Sequence, residues 1–171
     1  METETIIKIG AGILSIVITI VGILCVKDVK KFKKYGYAGI FIITFLGSVA
    51  IFSPAAPLAT FFAGTLYNPL LIGCFAAVGS TFGDMFGYGI GYGSQVIITD
   101  SVWYERIKYF MKINGALTLF ILATIPNPFF DLAGMAAGVT NFPFWQFLLI
   151  SFIGKCIKFT CFALIGNMTK K

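Results

Sequence analysis

The chain has 171 residues, of which 58% are hydrophobic and only 12% are charged, and its mean hydropathy is +0.91. Soluble domains are about half apolar and about a quarter charged, so this composition excludes an ordinary soluble protein and indicates an integral membrane protein. The formal net charge of +6 comes from lysines beside apolar segments, which favours anionic lipid headgroups over nucleic acid as the partner. The chain has no histidine, and its four cysteines lie in apolar runs without paired spacing. We therefore expect no metal site and no other cofactor.

Residues 6–26 form an apolar run that predicts an N-terminal transmembrane helix, because it is long enough to cross a hydrocarbon core of about 30 Å. A basic segment follows it, with the lysines Lys27, Lys30, Lys31, Lys33 and Lys34. The positive-inside rule places this segment in the cytoplasm and the N-terminus outside. We therefore divide the chain into residues 1–35, which hold this helix and the basic segment, and residues 36–171, which form one membrane domain.

Two apolar segments that are too short to span a membrane, residues 37–52 and 58–67, flank Pro54 and Pro57. Proline removes a backbone donor and moves the preceding residue away from helical geometry. Two short arms around a proline break predict a re-entrant helical hairpin. Residues 70–95 follow, and this segment is long enough to cross the membrane.

The long segment 70–95 carries glycines at a spacing of four residues, namely Gly79, Gly83, Gly87 and Gly91. This small-xxx-small pattern predicts a helix face that a second helix can approach closely. Asp84 lies beside that face. Exposed glycine faces are also compatible with a homodimer.

Residues 100–114 combine apolar side chains at helical spacing with charged side chains between them. The apolar set is Trp103, Ile107, Phe110 and Met111. This pattern predicts an amphipathic helix that lies in the membrane interface. We expect Trp103, Tyr104 and Tyr109 to anchor it at the level of the headgroups.

A second proline break follows the apolar arm 116–125, where Pro126 and Pro128 lie close to Asn127 and Asp131. A broken backbone at membrane depth survives only where protein or water satisfies its polar groups, and a carboxylate there marks a candidate site. The returning arm extends to residue 140, which predicts a second re-entrant hairpin. Two roles remain open for Asn127, which could cap the returning helix or line a polar cavity.

The last apolar segment, residues 142–165, predicts a crossing helix and completes an internal repeat. A shift of 74 residues aligns four pairs, Pro54 with Pro128, Leu58 with Leu132, Gly64 with Gly138, and Pro69 with Pro143. The predicted fold is an all-α polytopic membrane protein. It contains an inverted repeat of two re-entrant hairpins, each followed by a transmembrane helix, plus the N-terminal helix and the interfacial helix. Inverted repeats with broken helices are typical of membrane translocators.

Four ionisable side chains lie in the predicted membrane segments, namely Asp84, Asp131, Lys155 and Lys158. A charge at the bilayer centre costs about 2.5–3.5 kcal/mol on insertion scales. The four charges could form ion pairs that fix the helices, or they could line a groove for a headgroup or an ion. Asp131 has no equivalent in the first hairpin, so we expect its partner to be Lys155 or Lys158. No nucleophile and base lie at a recognisable spacing, and we therefore do not expect an enzyme.

The segment Ile125-Pro-Asn-Pro-Phe-Phe-Asp-Leu-Ala-Gly134, followed by Gly138, Pro143-Phe-Trp and Ile153-Gly-Lys155, resembles a known membrane family. It is similar to the VTT domain of eukaryotic vacuole membrane proteins, which belongs to the DedA and SNARE-associated Golgi protein superfamily. Residues 79–84, Gly-Ser-Thr-Phe-Gly-Asp, resemble the upstream Gly-x3-Gly-acid segment of that domain. The resemblance covers about residues 37–166. Close helix packing is expected at Gly134 and Gly138 as well.

The resemblance implies two facing re-entrant hairpins and the movement of phospholipids between leaflets, as a scramblase or a flippase. Asp84, Asp131, Lys155, Lys158 and Asn127 are then expected to line the lipid-headgroup groove. The bacterial relatives carry acidic residues near the first hairpin and arginines before the second. Here the first hairpin has alanines at 55 and 56, and no arginine immediately precedes the second break, which favours passive scrambling over proton coupling.

Two other functions remain open from the sequence. One is a proton- or sodium-coupled solute transporter on the same fold, and the other is a membrane scaffold that transports nothing. Eukaryotic members of the superfamily have long extensions that this compact chain lacks. We therefore expect a prokaryotic cell membrane, with the endoplasmic reticulum membrane as the alternative.

Overall fold

A computed structural model describes residues 29–49, 55–93, 102–127 and 129–169. The predicted helix over residues 6–26, Pro54 and Pro128 lie outside the described residues, as do the side chains of the basic segment. Within the described ranges the chain forms α-helices and no strand. The helices are α1 (Val29–Val49), α2 (Ala55–Gly64), α3 (Pro69–Gly93), α4 (Val102–Thr124), α5 (Phe130–Val139) and α6 (Phe144–Met168).

Three helical segments in the described part of the chain are long and apolar enough to cross a membrane. They are Pro69–Gly93, Tyr104–Thr124 and Phe144–Met168. Many large apolar side chains on these helices face outward, including Leu70, Phe86 and Leu149. Outward apolar side chains suit a surface that contacts lipid, and the chain is therefore an integral membrane protein.

Helix α4 bends at Asn114, where the backbone leaves helical geometry with φ −151° and ψ 84°. The Asn114 side-chain oxygen accepts a hydrogen bond of 3.1 Å from the Leu117 amide, and this bond caps the second part of the helix. The bend lies at the predicted boundary between the amphipathic segment 100–114 and the arm 116–125.

The first part of α4 is less exposed than the sequence predicts. Tyr104 is only 3% exposed and belongs to a buried cluster with Ile107 and Met111, so its predicted role as a headgroup anchor is wrong. Tyr109 is exposed, as an anchor requires. The side chain of Trp103 lies outside the described part of the chain.

The two halves of the structure repeat one another in helix length. Helices α2 and α5 each have 10 residues, and α3 and α6 each have 25. Each boundary in the second half lies 75 residues after its counterpart, one residue more than the shift that aligns the glycines and prolines. Each short helix packs mainly on the long helix of the other half, α2 on α6 and α5 on α3.

Glycines allow this exchange of short helices between the halves. A β-carbon added at Gly91 of α3 would clash with the backbone of Met135 in α5. One added at Gly166 of α6, the position 75 residues later, would clash with the backbone of Phe61 in α2. The same relation therefore holds in both halves, and close backbone approach depends on glycine at these positions.

The long helices α3 and α6 run antiparallel. Residues that rise in number along α3 meet residues that fall in number along α6, in the contacts Gly73 with Thr160, Ser80 with Lys155 and Tyr88 with Phe147. Ser80 and Lys155 are 75 residues apart and are therefore equivalent positions that meet where the helices cross. Antiparallel long helices are the arrangement expected of two halves with opposite orientation.

The glycine stripe of α3 faces two different helices. Each step of four residues rotates the side-chain direction by about 40°, so the stripe turns slowly around the helix. Added β-carbons at Gly79 and Gly83 would clash with α1, whereas one at Gly91 would clash with α5. Gly138 of α5 is equally tight against the backbone of Tyr88.

Close packing at Gly87 and Gly134 was predicted, and the structure corrects that prediction. The nearest atom to an added β-carbon is 4.0 Å away at Gly87 and 3.7 Å away at Gly134, which is ordinary contact. These two glycines line a cavity instead.

The connections between helices correct one further prediction. Helix α2 begins at Ala55, so Pro57 lies in its first turn, where a missing amide proton costs no helical hydrogen bond. Pro57 therefore does not break a helix. The end of α5 is closed by Asn141, with φ 52°, and by the bond of 2.9 Å from the Phe142 amide to the Ala137 carbonyl.

Candidate functional site

Asp84 of α3 and Lys155 of α6 form a buried ion pair at the crossing of the two long helices. Each side chain is only 3% exposed. The Lys155 ammonium lies 2.6 Å from Asp84 Oδ1, which accepts a hydrogen bond, and 2.6 Å from Oδ2, which lies outside hydrogen-bond geometry. Opposite charges from the two halves therefore compensate each other in the interior.

Two serines extend this ion pair to a third helix. The Lys155 ammonium donates to Ser80 Oγ at 2.5 Å and lies 3.4 Å from the Ser80 carbonyl oxygen. An ammonium only donates, so the Ser80 hydroxyl keeps its own proton to donate to Ser48 Oγ, 2.5 Å away on α1. A continuous chain of hydrogen bonds thus connects α6, α3 and α1.

The ring of Phe130, at the start of α5, lies beside both lysines. Its centroid is 4.6 Å from the Lys155 ammonium and 5.8 Å from the Lys158 ammonium. Lys158 also lies 5.2 Å from the centroid of Phe159, and its side chain is only partly exposed. Among the described residues, the Lys158 ammonium has no hydrogen-bond acceptor and no ion-pair partner.

A cavity of about 140 Å³ adjoins the ion pair. Asp84, Asp131 and Ser48 supply its polar lining, and Phe130 forms part of its wall. Asp131 lies in the first turn of α5 and is partly exposed. The two carboxylates singled out in the sequence therefore face the same small space.

The structure corrects the predicted partner of Lys155. We expected Asp131 to pair with Lys155 or Lys158, but Lys155 takes its carboxylate partner from Asp84. Asp84 and Lys155 come from different halves, and linear spacing does not define which faces of two crossing helices meet. Ser48, Ser80 and Phe130 were not singled out in the sequence. Ser80 carries one usable signal, because it is the repeat equivalent of Lys155.

Asn127 closes the turn between α4 and α5. Pro126 has no amide proton to offer the Leu122 carbonyl, and the Asn127 side-chain amide replaces it with a hydrogen bond of 3.0 Å. The same amide donates to the Ile125 carbonyl at 2.8 Å, and its oxygen accepts from the Phe129 amide at 2.9 Å. These bonds favour the capping role over cavity lining, although the N-cap residue of α5 is Phe129.

Removing one partner of the buried ion pair should destabilise the protein strongly. Lys155→Met leaves Asp84 buried without a counter-charge and should lower the free energy of unfolding by about 3–5 kcal/mol. Adding Asp84→Leu removes the stranded charge, so the double variant should lose less than the sum of the single variants. The measurement is unfolding in mixed detergent micelles.

The matched control for that experiment is Lys108→Met, whose ammonium lies 3.6 Å from Glu105 on an exposed part of α4. Exposed pairs contribute about 0–1 kcal/mol, so this variant should change stability little. A double variant as unstable as the sum of its parts would contradict the account of the ion pair.

Asn127→Asp should destabilise the turn although it hardly changes the shape of the side chain. The substitution replaces the donor to the Leu122 and Ile125 carbonyls with an oxygen, which should cost about 1–3 kcal/mol in micelle unfolding. Asn114→Asp is the control, because Asn114 caps α4 through its side-chain oxygen alone. Its stability should stay within about 0.5 kcal/mol. Equal losses in the two variants would be inconsistent with this role of Asn127.

Comparison with known proteins agrees with the resemblance seen in the sequence. "Vacuole membrane protein KMS1" of Arabidopsis thaliana is 52% identical over 57 residues, which are 31% of this chain and 14% of that protein. "Vacuole membrane protein 1 homolog" of Dictyostelium discoideum is 46% identical over 53 residues, 31% of this chain and 13% of that protein.

"Vacuole membrane protein 1" of Homo sapiens is 46% identical over 43 residues, 25% of this chain and 11% of that protein. The matched segments thus span only a small part of each of these relatives. No solved structure matches the chain. Residues 53–168, more than half of the chain, match the VTT domain family. The chain belongs to the VTT domain family.

Proposed function

We propose that this chain is a phospholipid scramblase, which moves lipids between the membrane leaflets without a chemical reaction. The observation that carries the proposal is a buried polar cluster with an adjoining cavity, midway along two long antiparallel helices. Polar groups at membrane depth are costly and are typical of transport pathways. The steps below derive how the helices would present this cluster to a headgroup.

The contacts of the second half support a hairpin that enters and leaves the membrane on the same side. Its first arm starts at Gly115, against the Phe142 ring, and reaches Ala123, which lies against Gly154 in the middle of α6. Helix α5 then starts beside Lys155 and ends at Val139, one connection away from the start of α6. Ten residues of helix extend about 15 Å, half of a hydrocarbon core of about 30 Å.

The first half supports the same arrangement from the opposite side. Its first arm starts at Tyr37, whose ring lies 5.2 Å from that of Phe75 near the start of α3. It reaches Ser48, which bonds to Ser80 in the middle of α3. Because α3 and α6 run antiparallel, the two hairpins would enter from opposite faces and meet near the polar cluster. This is the inverted repeat that the sequence predicts.

Such an arrangement would lower the barrier to lipid movement. Helices that reach only halfway shorten the distance that a headgroup travels through hydrocarbon, and the cavity offers it polar contacts while the tails stay in lipid. The two carboxylates and two lysines of the cluster compensate one another, so no imposed gradient is needed to supply charge. We therefore propose passive scrambling.

A proton- or sodium-coupled transporter on the same fold is the second candidate, because Asp84 and Asp131 both face one cavity. Carboxylates in such positions form proton relays in many transporters. We propose a prokaryotic cell membrane as the location, with the endoplasmic reticulum membrane as the alternative. The relatives named above come from eukaryotes, so they do not support the first choice.

Reconstitution into vesicles tests the proposed function. We expect the purified chain to expose inner-leaflet fluorescent phosphatidylcholine to the reductant dithionite without any ion gradient. Quenching no greater than in protein-free vesicles would contradict scrambling and favour a non-transporting scaffold. Exchange that requires a proton or sodium gradient would favour the coupled transporter.

A matched pair of glycine variants ties the activity to the cavity. Gly87→Leu places a side chain in the cavity and should slow lipid exchange strongly. Gly89→Leu makes the same change two residues further along α3, at a position with no neighbouring atom within 4 Å of an added β-carbon, and should not. Equal rates in the two variants would show that lipids do not pass this cavity.

A further inference from the structure

Resting on the proposed function, we infer that the two lysines of the cluster do different work. Lys155 and Asp84 form a closed structural pair, whereas Lys158 and Asp131 receive the headgroup. Lys158 binds the phosphate and Asp131 binds the positively charged end. The preferred substrates are therefore zwitterionic phospholipids, which carry a phosphate and an ammonium group together.

Lys155 has no capacity left for a ligand. An ammonium has three donors, and those of Lys155 face Asp84 Oδ1, Ser80 Oγ and the Ser80 carbonyl oxygen. The side chain is 3% exposed. A headgroup phosphate that displaced Asp84 would leave a buried carboxylate unpaired, which is strongly unfavourable. Lys155 therefore holds the helices together instead of binding lipid.

Lys158 is in the opposite situation. Its ammonium contacts the rings of Phe130 and Phe159, and in the described part of the chain it has no oxygen acceptor. Aromatic rings attract a cation but accept none of its three protons in strong hydrogen bonds. A phosphate supplies several charged oxygens, and lysine binds phosphate well as a compact charge. Lys158 therefore fits the anionic part of a headgroup.

The cavity beside Lys158 fits the cationic part. Asp131, Asp84 and Ser48 line it, and carboxylates only accept hydrogen bonds, so the complementary ligand is a donor with positive charge. Lys155 already neutralises Asp84, which leaves the charge of Asp131 to attract the ligand. The volume of about 140 Å³ accommodates roughly four water molecules or one small ammonium group.

Geometry places the two subsites next to each other. Phe130 forms part of the cavity wall, and its ring also lies 5.8 Å from the Lys158 ammonium. Lys158 interacts electrostatically with Asp131 and with Asp84. One headgroup can therefore contact both subsites. A headgroup with a phosphate but no ammonium would bring its negative charge towards Asp131 without compensation, and repulsion would disfavour it.

The test compares phosphatidylethanolamine with phosphatidylglycerol, which differ in the ammonium group. Both carry the fluorophore on an acyl chain, so that the headgroup stays intact. Wild-type protein should scramble phosphatidylethanolamine faster in vesicles. Asp131→Asn should lower the ratio of the two rates by about ten-fold, the factor that corresponds to ~1.4 kcal/mol. Lys158→Gln should slow both lipids by similar factors, and Lys112→Gln, exposed on α4, should slow neither.

Native mass spectrometry in mixed micelles of the same two lipids separates this inference from the proposed function. Wild-type protein should retain phosphatidylethanolamine in preference, and Asp131→Asn should lose that preference, whether or not the vesicles show scrambling. If wild-type protein scrambles both lipids but Asp131→Asn leaves the rate ratio and the retained lipid unchanged, the inference is wrong and the scramblase proposal stands. If the preference is seen without scrambling, the reverse holds.

Discussion

The ion pair between Asp84 and Lys155 is the interaction on which the rest of the structure depends. Each charge alone would cost about 2.5–3.5 kcal/mol at the centre of a bilayer, and each half of the chain supplies one of them. Their contact fixes the crossing of the two long helices at equivalent positions of the repeat. Ser80 and Ser48 extend it to α1, and these short side chains reach one another because Gly79 and Gly83 let α1 approach α3 closely.

Short helices create the second constraint, because a helix that ends inside a membrane leaves backbone polar groups without water. The turn around Pro126 meets this constraint with the side chain of Asn127, which bonds to carbonyls that proline cannot satisfy. Helix α5 then begins at Phe130, beside the lysines, and places Asp131 at the cavity. The helix break and the polar cluster are therefore parts of one arrangement.

Much of this architecture could be predicted from the sequence, because hydrophobic length and proline position depend on local chemistry. The short and long helices, the Gly-x4-Pro connections and the four membrane charges are visible in that way. Contacts between helices are not, since spacing along one helix does not specify the rotation of its neighbour. That limit explains why Asp131 was taken as the partner of Lys155 and why Gly87 was assigned to packing instead of the cavity. Pro57 was misassigned because a proline in a first turn resembles a break.

The central claim is that the two hairpins enter the membrane from opposite faces. Single cysteines at exposed positions, in a chain whose native cysteines are replaced, test it with a membrane-impermeant maleimide on oriented vesicles. The account predicts that Ala116→Cys and Gln146→Cys are labelled from one face, and that Ala38→Cys, Asn68→Cys and Thr169→Cys are labelled from the other. Labelling of Ala116→Cys and Gln146→Cys from opposite faces, or of all five from the same face, would contradict it.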